Sequence, residues 1–316
     1  MSAPATTSPL EIAGLSHPGQ VRSLNEDTWA TASVSVGEVM IVADGMGGHR
    51  TGEVASQMAT QTLVEAMSEN RQAPPDGLPR ALQKANLAVY QHASKRSESR
   101  GMGTTMTALI VDGNAAIIGH VGDSRAYLIR ANSIQQLTRD HSWVAERVRQ
   151  GVISEDEARN HRWRNVITNA LGSRPQLRLD LFGLGLSEGD TILLCSDGLS
   201  NMLTDDMIFS IVQKNQIDPA EVVAQKLIDA ANSNGGPDNI TVVLTRVKKL
   251  GKRSKNYPLP QLGREPAMAV PDLEHDPKHT IILEPTRPVS PLRKYIVPIV
   301  IVLYVLVFFL LLRVKR

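Results

Sequence analysis

Val39-Met40-Ile41-Val42-Ala43-Asp44-Gly45 and Ile192-Leu193-Leu194-Cys195-Ser196-Asp197-Gly198 repeat one device, an apolar run that ends in Asp-Gly. A buried strand that delivers a carboxylate at its tip, followed by a residue whose backbone can crowd a ligand, is a way to build a hard-cation site. Two further Asp residues extend the pattern: Asp27 in Arg22-Ser23-Leu24-Asn25-Glu26-Asp27 and Asp238 in Gly235-Gly236-Pro237-Asp238-Asn239. One Asp-Gly alone is an ordinary turn dipeptide. Carboxylates that converge at strand tips repel one another, however, and a divalent cation between them removes the repulsion. Oxygen ligands without a Cys or His cluster suit magnesium or manganese rather than zinc. His49 and His120 have no second His or Cys at ligand spacing, which argues against either as a direct ligand. The set points to an enzyme that acts on phosphate through divalent metals.

Around these runs, apolar spacing predicts helices over residues 53–67 and 78–92, and strands over 107–111 and 115–121 joined by the hairpin turn Asp112-Gly113-Asn114. A third run, 125–130, follows across Gly122-Asp123-Ser124, so a meander is expected. Helical patterns near 206–213 and 219–231 precede a last strand at 240–247. Short connections favour antiparallel pairing, and periodicity supports an α+β domain with antiparallel sheet covered by helices.

With 316 residues, 42% of them hydrophobic, the chain can bury a sizeable core. Lys plus Arg at 34 against Asp plus Glu at 32 gives no positive excess, which removes the electrostatic case for nucleic acid and for a metal phosphodiesterase acting on it. The single Cys195 excludes internal disulfides and Cys-rich zinc sites. Residues 1–10 read as a flexible N-terminus without a secretory signal, 11–247 as the folded domain that carries the Asp motifs, 248–292 as a Pro-rich basic linker and 293–316 as a transmembrane helix with a short basic tail. The apolar run 295–312 covers about 27 Å as a helix, close to the ~30 Å bilayer core. The expected placement is a single-pass protein of the cytoplasmic membrane, with the lipid bilayer as a partner and the domain in the cytosol.

Competing phosphate chemistries lack their residues. The Gly-rich stretch 45–52 resembles a phosphate-cradling loop, but Asp44 directly before it argues against an unassisted anion site, and no Lys-Ser or Lys-Thr follows as in a nucleotide-binding P-loop. A cysteine-dependent phosphatase needs an Arg six residues after its nucleophile, and after Cys195 that residue is Asn201.

In this order the motifs Arg22 to Asp27, Asp44 to His49 with Gly52-Glu53, Gly101-Met102-Gly103-Thr104-Thr105, Gly122-Asp123-Ser124-Arg125, Asp140-His141-Ser142, Cys195-Ser196-Asp197-Gly198 and Gly236-Pro237-Asp238-Asn239 resemble the type 2C family of metal-dependent Ser/Thr protein phosphatases, in its bacterial branch. The resemblance implies a four-layer sandwich, two antiparallel sheets flanked by helices, with two or three manganese or magnesium ions at one end. By carry-over, Asp44 bridges two ions, Gly45 offers its carbonyl to one, and Asp197 and Asp238 complete the other. Asp27 and Glu26 act through bound water, and Asn239 stands behind Asp238. Asp123 binds a third ion together with Asp197, or is a turn residue between strands. The implied reaction is in-line attack on phosphorus by a hydroxide held between the ions, with phosphorylated proteins as substrates and Arg22 gripping the phosphoryl oxygens. A catalytically weak module that binds phosphoproteins with the same fold is the alternative.

Two departures from the family pattern bear on chemistry. Many eukaryotic relatives place a His after the first Asp-Gly, where this chain has Met46. Protonation of the leaving group then falls to a bound water or to His49. In the region 143–175, which resembles the mobile flap of bacterial members, Arg162 stands where Pro is common. Arg162 and Trp163 either favour acidic phosphopeptides or cover a helix.

Overall fold

Strand alternation decides which way the first Asp-Gly run presents its carboxylate, because successive side chains leave opposite faces of a sheet. Met40 and Val42 belong to one buried cluster, while Val39, Ile41 and Ala43 belong to another. Asp44 continues the parity of Met40 and Val42.

This computed structural model describes residues 8–47 and 51–261. Its first half runs β1 (Leu10–His17), β2 (Asp27–Val34), β3 (Gly37–Met46), α1 (Thr51–Glu69), α2 (Pro74–Lys95), β4 (Gly103–Thr104), β5 (Met106–Asp112), β6 (Ala115–Val121), β7 (Arg125–Arg130) and β8 (Ser133–Gln136). The second half runs α3 (Trp143–Arg149), α4 (Glu155–Arg159), β9 (Asp180–Gly185), β10 (Thr191–Cys195), α5 (Asp197–Ser200), α6 (Asp205–Lys214), α7 (Ala220–Ser233) and β11 (Ile240–Val247). One sheet has the order β1-β11-β10-β7-β8, the other β2-β3-β5-β6-β9, with β4 paired to β3. All pairings are antiparallel.

The two sheets face each other across a core that includes Met40, Val42, Leu109, Ile118, Leu128, Ile192, Leu194 and Val243. The outer face of the second sheet packs Val39 and Ile41 against Leu63 of α1 and Leu82 of α2. That of the first packs Leu193 and Val242 against Ile208 of α6 and Leu227 of α7. Helices therefore cover both outer faces, and the expected α+β arrangement of two antiparallel sheets is observed.

The expected meander is not. β6 pairs with β5 and β9 in one sheet, whereas β7 pairs with β8 and β10 in the other. Gly122-Asp123-Ser124 is the crossing between sheets. Gly122 has φ +108°, and a Cβ on it would lie 2.6 Å from the Thr105 side chain, so the crossing needs a glycine. A three-residue connection looks the same in sequence whether the next strand pairs or changes sheet.

Residues 248–261, read as the beginning of a linker, stay against the domain. Ser254 donates to Asp112 from its N–H (2.6 Å) and its hydroxyl (2.9 Å), and the Tyr257 hydroxyl donates to Asp112 Oδ2 at 2.8 Å. The Tyr257 ring joins the core under α1 and α2 with only 7% exposure, and Pro260 O accepts the Gly183 N–H at 2.8 Å. Tyr257 and Leu259 carry apolar surface that the surrounding Lys and Pro residues conceal in a composition average. The rest of the Pro-rich segment, the run 295–312, residues 1–7 and His49 lie outside the described residues. Among the described residues, no helix is long and apolar enough to cross a membrane.

Candidate active site

Asp44 lies directly opposite Asp27 in the β2–β3 register. Its backbone is clamped on both sides. The Asp44 N–H donates to Thr105 Oγ1 (2.8 Å), while Asp44 O accepts the Thr105 N–H (2.9 Å) and the Thr104 hydroxyl (2.9 Å). The glycines of the two Asp-Gly units admit neighbouring backbone at the side where a Cβ would stand. A Cβ on Gly45 would lie 2.1 Å from Gly52 O, and one on Gly198 would lie 2.0 Å from Asn239 O. The second unit also differs in shape. β10 ends at Cys195, and Asp197 opens the short helix α5, where Asn201 Nδ2 donates to Asp197 Oδ2 at 3.1 Å.

Asp27 is buried, 8% exposed. Ser196 and Thr241 each donate a hydroxyl to its Oδ2 at 2.7 Å, whereas its Oδ1 is buried with no partner. Since Thr241 donates to Asp27, the 2.6 Å contact between Ser16 and Thr241 requires Ser16 to donate, and Asn25 donates to Ser16 in turn. Burial pushes the Asp27 carboxyl up to about 7 against those two hydrogen bonds, with the charges of Asp197 and Asp238 adding to the rise. Asp123 is also buried with an unpartnered Oδ1. Burial, then the Asp197 and Asp140 charges, raise it well above the usual carboxylate range.

Asp44 and Asp197 are half-buried at the mouth. Desolvation, then the charges of Asp27, Asp197, Asp123 and Asp238, raise Asp44 well above its ordinary value, and desolvation with Asp238 raises Asp197 to about 6. A cation among these carboxylates would relieve the repulsion that raises them. Among the described residues, no three His, Cys, Asp or Glu side chains already form a closed ligand set. The fit to metal rests instead on two orphaned buried oxygens and an oxygen-only donor set, the chemistry of magnesium or manganese.

Asp238 sits on the rim, where its Oδ2 accepts Arg22 Nη2 at 2.9 Å; the Arg22 side chain is 51% exposed. Asn239 behaves as a clamp. Its Oδ1 accepts the Glu26 N–H (2.8 Å), and its amide donates to Pro18 O (3.0 Å) and Leu24 O (2.8 Å), fixing the loop that carries Arg22 and Glu26. Glu26 is itself raised by burial, and its carboxyl lies against Gly52, where a Cβ would be 2.6 Å from Oε1. The structure thus gathers Glu26, Asp27, Asp44, Asp123, Asp197 and Asp238 at one end of the sandwich.

His120 is tied to Thr107 Oγ1 (2.9 Å) and Arg139 O (3.1 Å) through its two ring nitrogens, which leaves neither free for metal. In the flap region Trp163 meets Trp143 of α3 edge to face at 4.6 Å, Trp143 stacks on His161 at 4.8 Å, and Arg162 lies over Trp163. Of the two readings of Trp163, covering a helix is the one its contacts support. Thr104, Thr105 and Ser196 were present in the quoted motifs without a role, and Thr241 had no signal beyond being a β-branched strand residue. All four hold the carboxylates in place.

Residues 13–228 match the family described as Protein phosphatase 2C. The chain is 39% identical over 232 residues to the serine/threonine phosphatase stp of Listeria welshimeri, covering 72% of this chain and 91% of that relative. The crystal structure of the Mycobacterium tuberculosis serine/threonine phosphatase PstP/Ppp superposes with a TM-score of 0.69 at 36% identity, over 76% of this chain and 99% of that one. A structure of the catalytic domain of serine/threonine protein phosphatase PstP in complex with two manganese ions superposes with a TM-score of 0.67 at 35% identity, over 75% and 97% of the two chains.

Proposed function

The chain belongs to the protein phosphatase 2C family and is a phosphoprotein phosphatase by class, and from that premise we propose that it hydrolyses phosphoserine and phosphothreonine on proteins at the acidic end of its sandwich. The observation that carries this reading is the pair of buried, unpartnered carboxylate oxygens on Asp27 and Asp123 beside Asp44 and Asp197. Asp27, Asp44, Asp197, Asp238 and the Gly45 carbonyl would hold two manganese or magnesium ions, and Asp123 with Asp197 a third. Bound there, the ions supply a nucleophilic oxygen at neutral pH and neutralise charge that develops on the phosphoryl group.

The protein's own part is positioning. Ser196 and Thr241 fix the orientation of Asp27, Thr104 and Thr105 fix the backbone of Asp44, and Asn239 fixes the loop bearing Arg22. Arg22 is paired with Asp238 here, and with that carboxylate holding a cation it would present a planar fork to two phosphoryl oxygens. His49 is retained as the proposed donor to the leaving oxygen.

The run 295–312 is read as one membrane span, on its apolar length and basic flanks, tethering the domain to the cytosolic face where ATP-dependent phosphorylation occurs. Release of the chain by carbonate washing of membranes refutes the span. Hydrolysis of a phosphothreonine peptide and of p-nitrophenyl phosphate, with and without manganese, tests the reaction. Activity is expected only with the metal and is expected to be lost in Asp44→Asn. Manganese-independent turnover, or full activity in the variant, refutes the assignment.

A further inference from the structure

Beside the acidic cluster, on the flap side, a concavity of about 170 Å³ is lined by Arg139, Arg149 and Arg178 together with His141, Glu146 and Asp180. Its wall is continuous with the Asp123 crossing: the His141 N–H donates to Gly122 O at 2.7 Å, and His141 Nδ1 accepts the Gly122 N–H at 3.1 Å. That acceptance places the ring proton on Nε2, 3.4 Å from Asp180 Oδ2. Asn169 Nδ2 completes the floor by donating to His141 Nδ1 (3.0 Å) and to Arg178 O (2.9 Å).

The two carboxylates are already engaged, Asp180 by His141 and Glu146 by the Thr168 hydroxyl at 2.8 Å. The guanidinium groups keep spare donors. Arg149 gives one donor to Asp140 O (3.1 Å), Arg139 is near enough to Asp180 to help lower its carboxyl, and the side chains of Arg139 and Arg178 form no hydrogen bond or close ion pair among the described residues. Three guanidinium groups with spare donors around a small concavity match a tetrahedral or planar anion.

We propose that this pocket receives a second anionic group of the phosphoprotein substrate, a carboxylate or phosphoryl side chain a few positions from the phosphoresidue at the acidic cluster. The proposal rests on the phosphatase reading for the identity of the substrate. It makes Arg139, Arg149 and Arg178 determinants of which phosphoproteins bind.

The test measures binding and turnover separately with the full chain. Fluorescent peptides with a non-hydrolysable phosphothreonine mimic, neutral or carrying Glu at successive positions on either side, are titrated in manganese and read by anisotropy. The anionic residue at its best position is expected to tighten binding by about tenfold, and Arg139→Gln with Arg178→Gln to reduce that gain to under about twofold without changing affinity for the neutral peptide. With the hydrolysable phosphothreonine peptides, kcat/KM for the anionic peptide should fall in the same proportion through KM, while p-nitrophenyl phosphate turnover stays unchanged. An undiminished gain in the double variant, or equal losses on neutral and anionic peptides, overturns the proposal. Inorganic phosphate that alters neutral-peptide binding through the same arginines assigns the pocket to free phosphate and also overturns it. Absence of all turnover by the wild type refutes the phosphatase reading, and the anisotropy result still decides the pocket.

Discussion

Without metal, the chain should lose stability as pH rises from about 4 to about 7, the reverse of what acid titration of paired carboxylates produces. Folding raises the Asp27 carboxyl from 3.8 to about 7. Between those values the folded chain holds a proton that the unfolded chain has released, so the folded state binds more protons and its stability falls with pH. The stabilisation is complete below 3.8 and gone above about 7. The difference between those two values corresponds to about 4 kcal/mol, a large fraction of the ~5–15 kcal/mol that a domain commonly has. Asp197, raised to about 6, acts in the same direction over the lower part of the window.

Urea unfolding followed by tryptophan fluorescence, in chelator and at pH steps across this range, reads the effect directly. Manganese should reverse it, stabilising most at the alkaline end, where protons no longer compete for the carboxylates. Asp27→Asn removes the ionisation but can still accept from Ser196 and Thr241. At about pH 8 in chelator, this variant should therefore be more stable than the wild type, by up to about 4 kcal/mol, while gaining less from manganese. A metal-free stability that is flat or rises across the window, or an Asn variant less stable at its alkaline end, refutes the electrostatic account of the cluster.

Tyr257→Phe removes the hydroxyl that donates to Asp112 and should cost about 1.5–3 kcal/mol; Tyr257→Ala also empties a buried ring site and should cost about 3–5 kcal/mol. Thermal unfolding measures both, and turnover per folded molecule should be unchanged because this contact is distinct from the acidic end. Arg22→Lys keeps the charge beside Asp238 but loses the fork, so kcat/KM for a phosphothreonine peptide should fall by about tenfold or more. An unchanged value shows that Arg22 acts only as a counter-charge.

Legibility in the sequence followed burial on both faces. β5, β6, β10 and β11 are buried almost throughout and announce themselves as apolar runs. β2, with Thr, Ala and Ser among its residues and, after Asp27, every position either exposed or only partly buried, does not. The residues that hold Asp27 were unreadable for a different reason. Ser196 and Thr241 lie 169 and 214 positions away from it, and their meeting depends on β11 and β10 being neighbours in a sheet that faces β2 and β3.

The acidic residues were legible as a set, yet the device that places Asp44 is not the strand tip the sequence suggested. β3 runs on to Met46, and Asp44 sits within it at the parity of Met40 and Val42, the face turned toward the opposite sheet. The apolar layer between the sheets therefore passes into the carboxylate cluster without a break. The same burial that raises these groups makes them costly to ionise unless a cation lies among them, so the core and the proposed metal requirement have one physical origin.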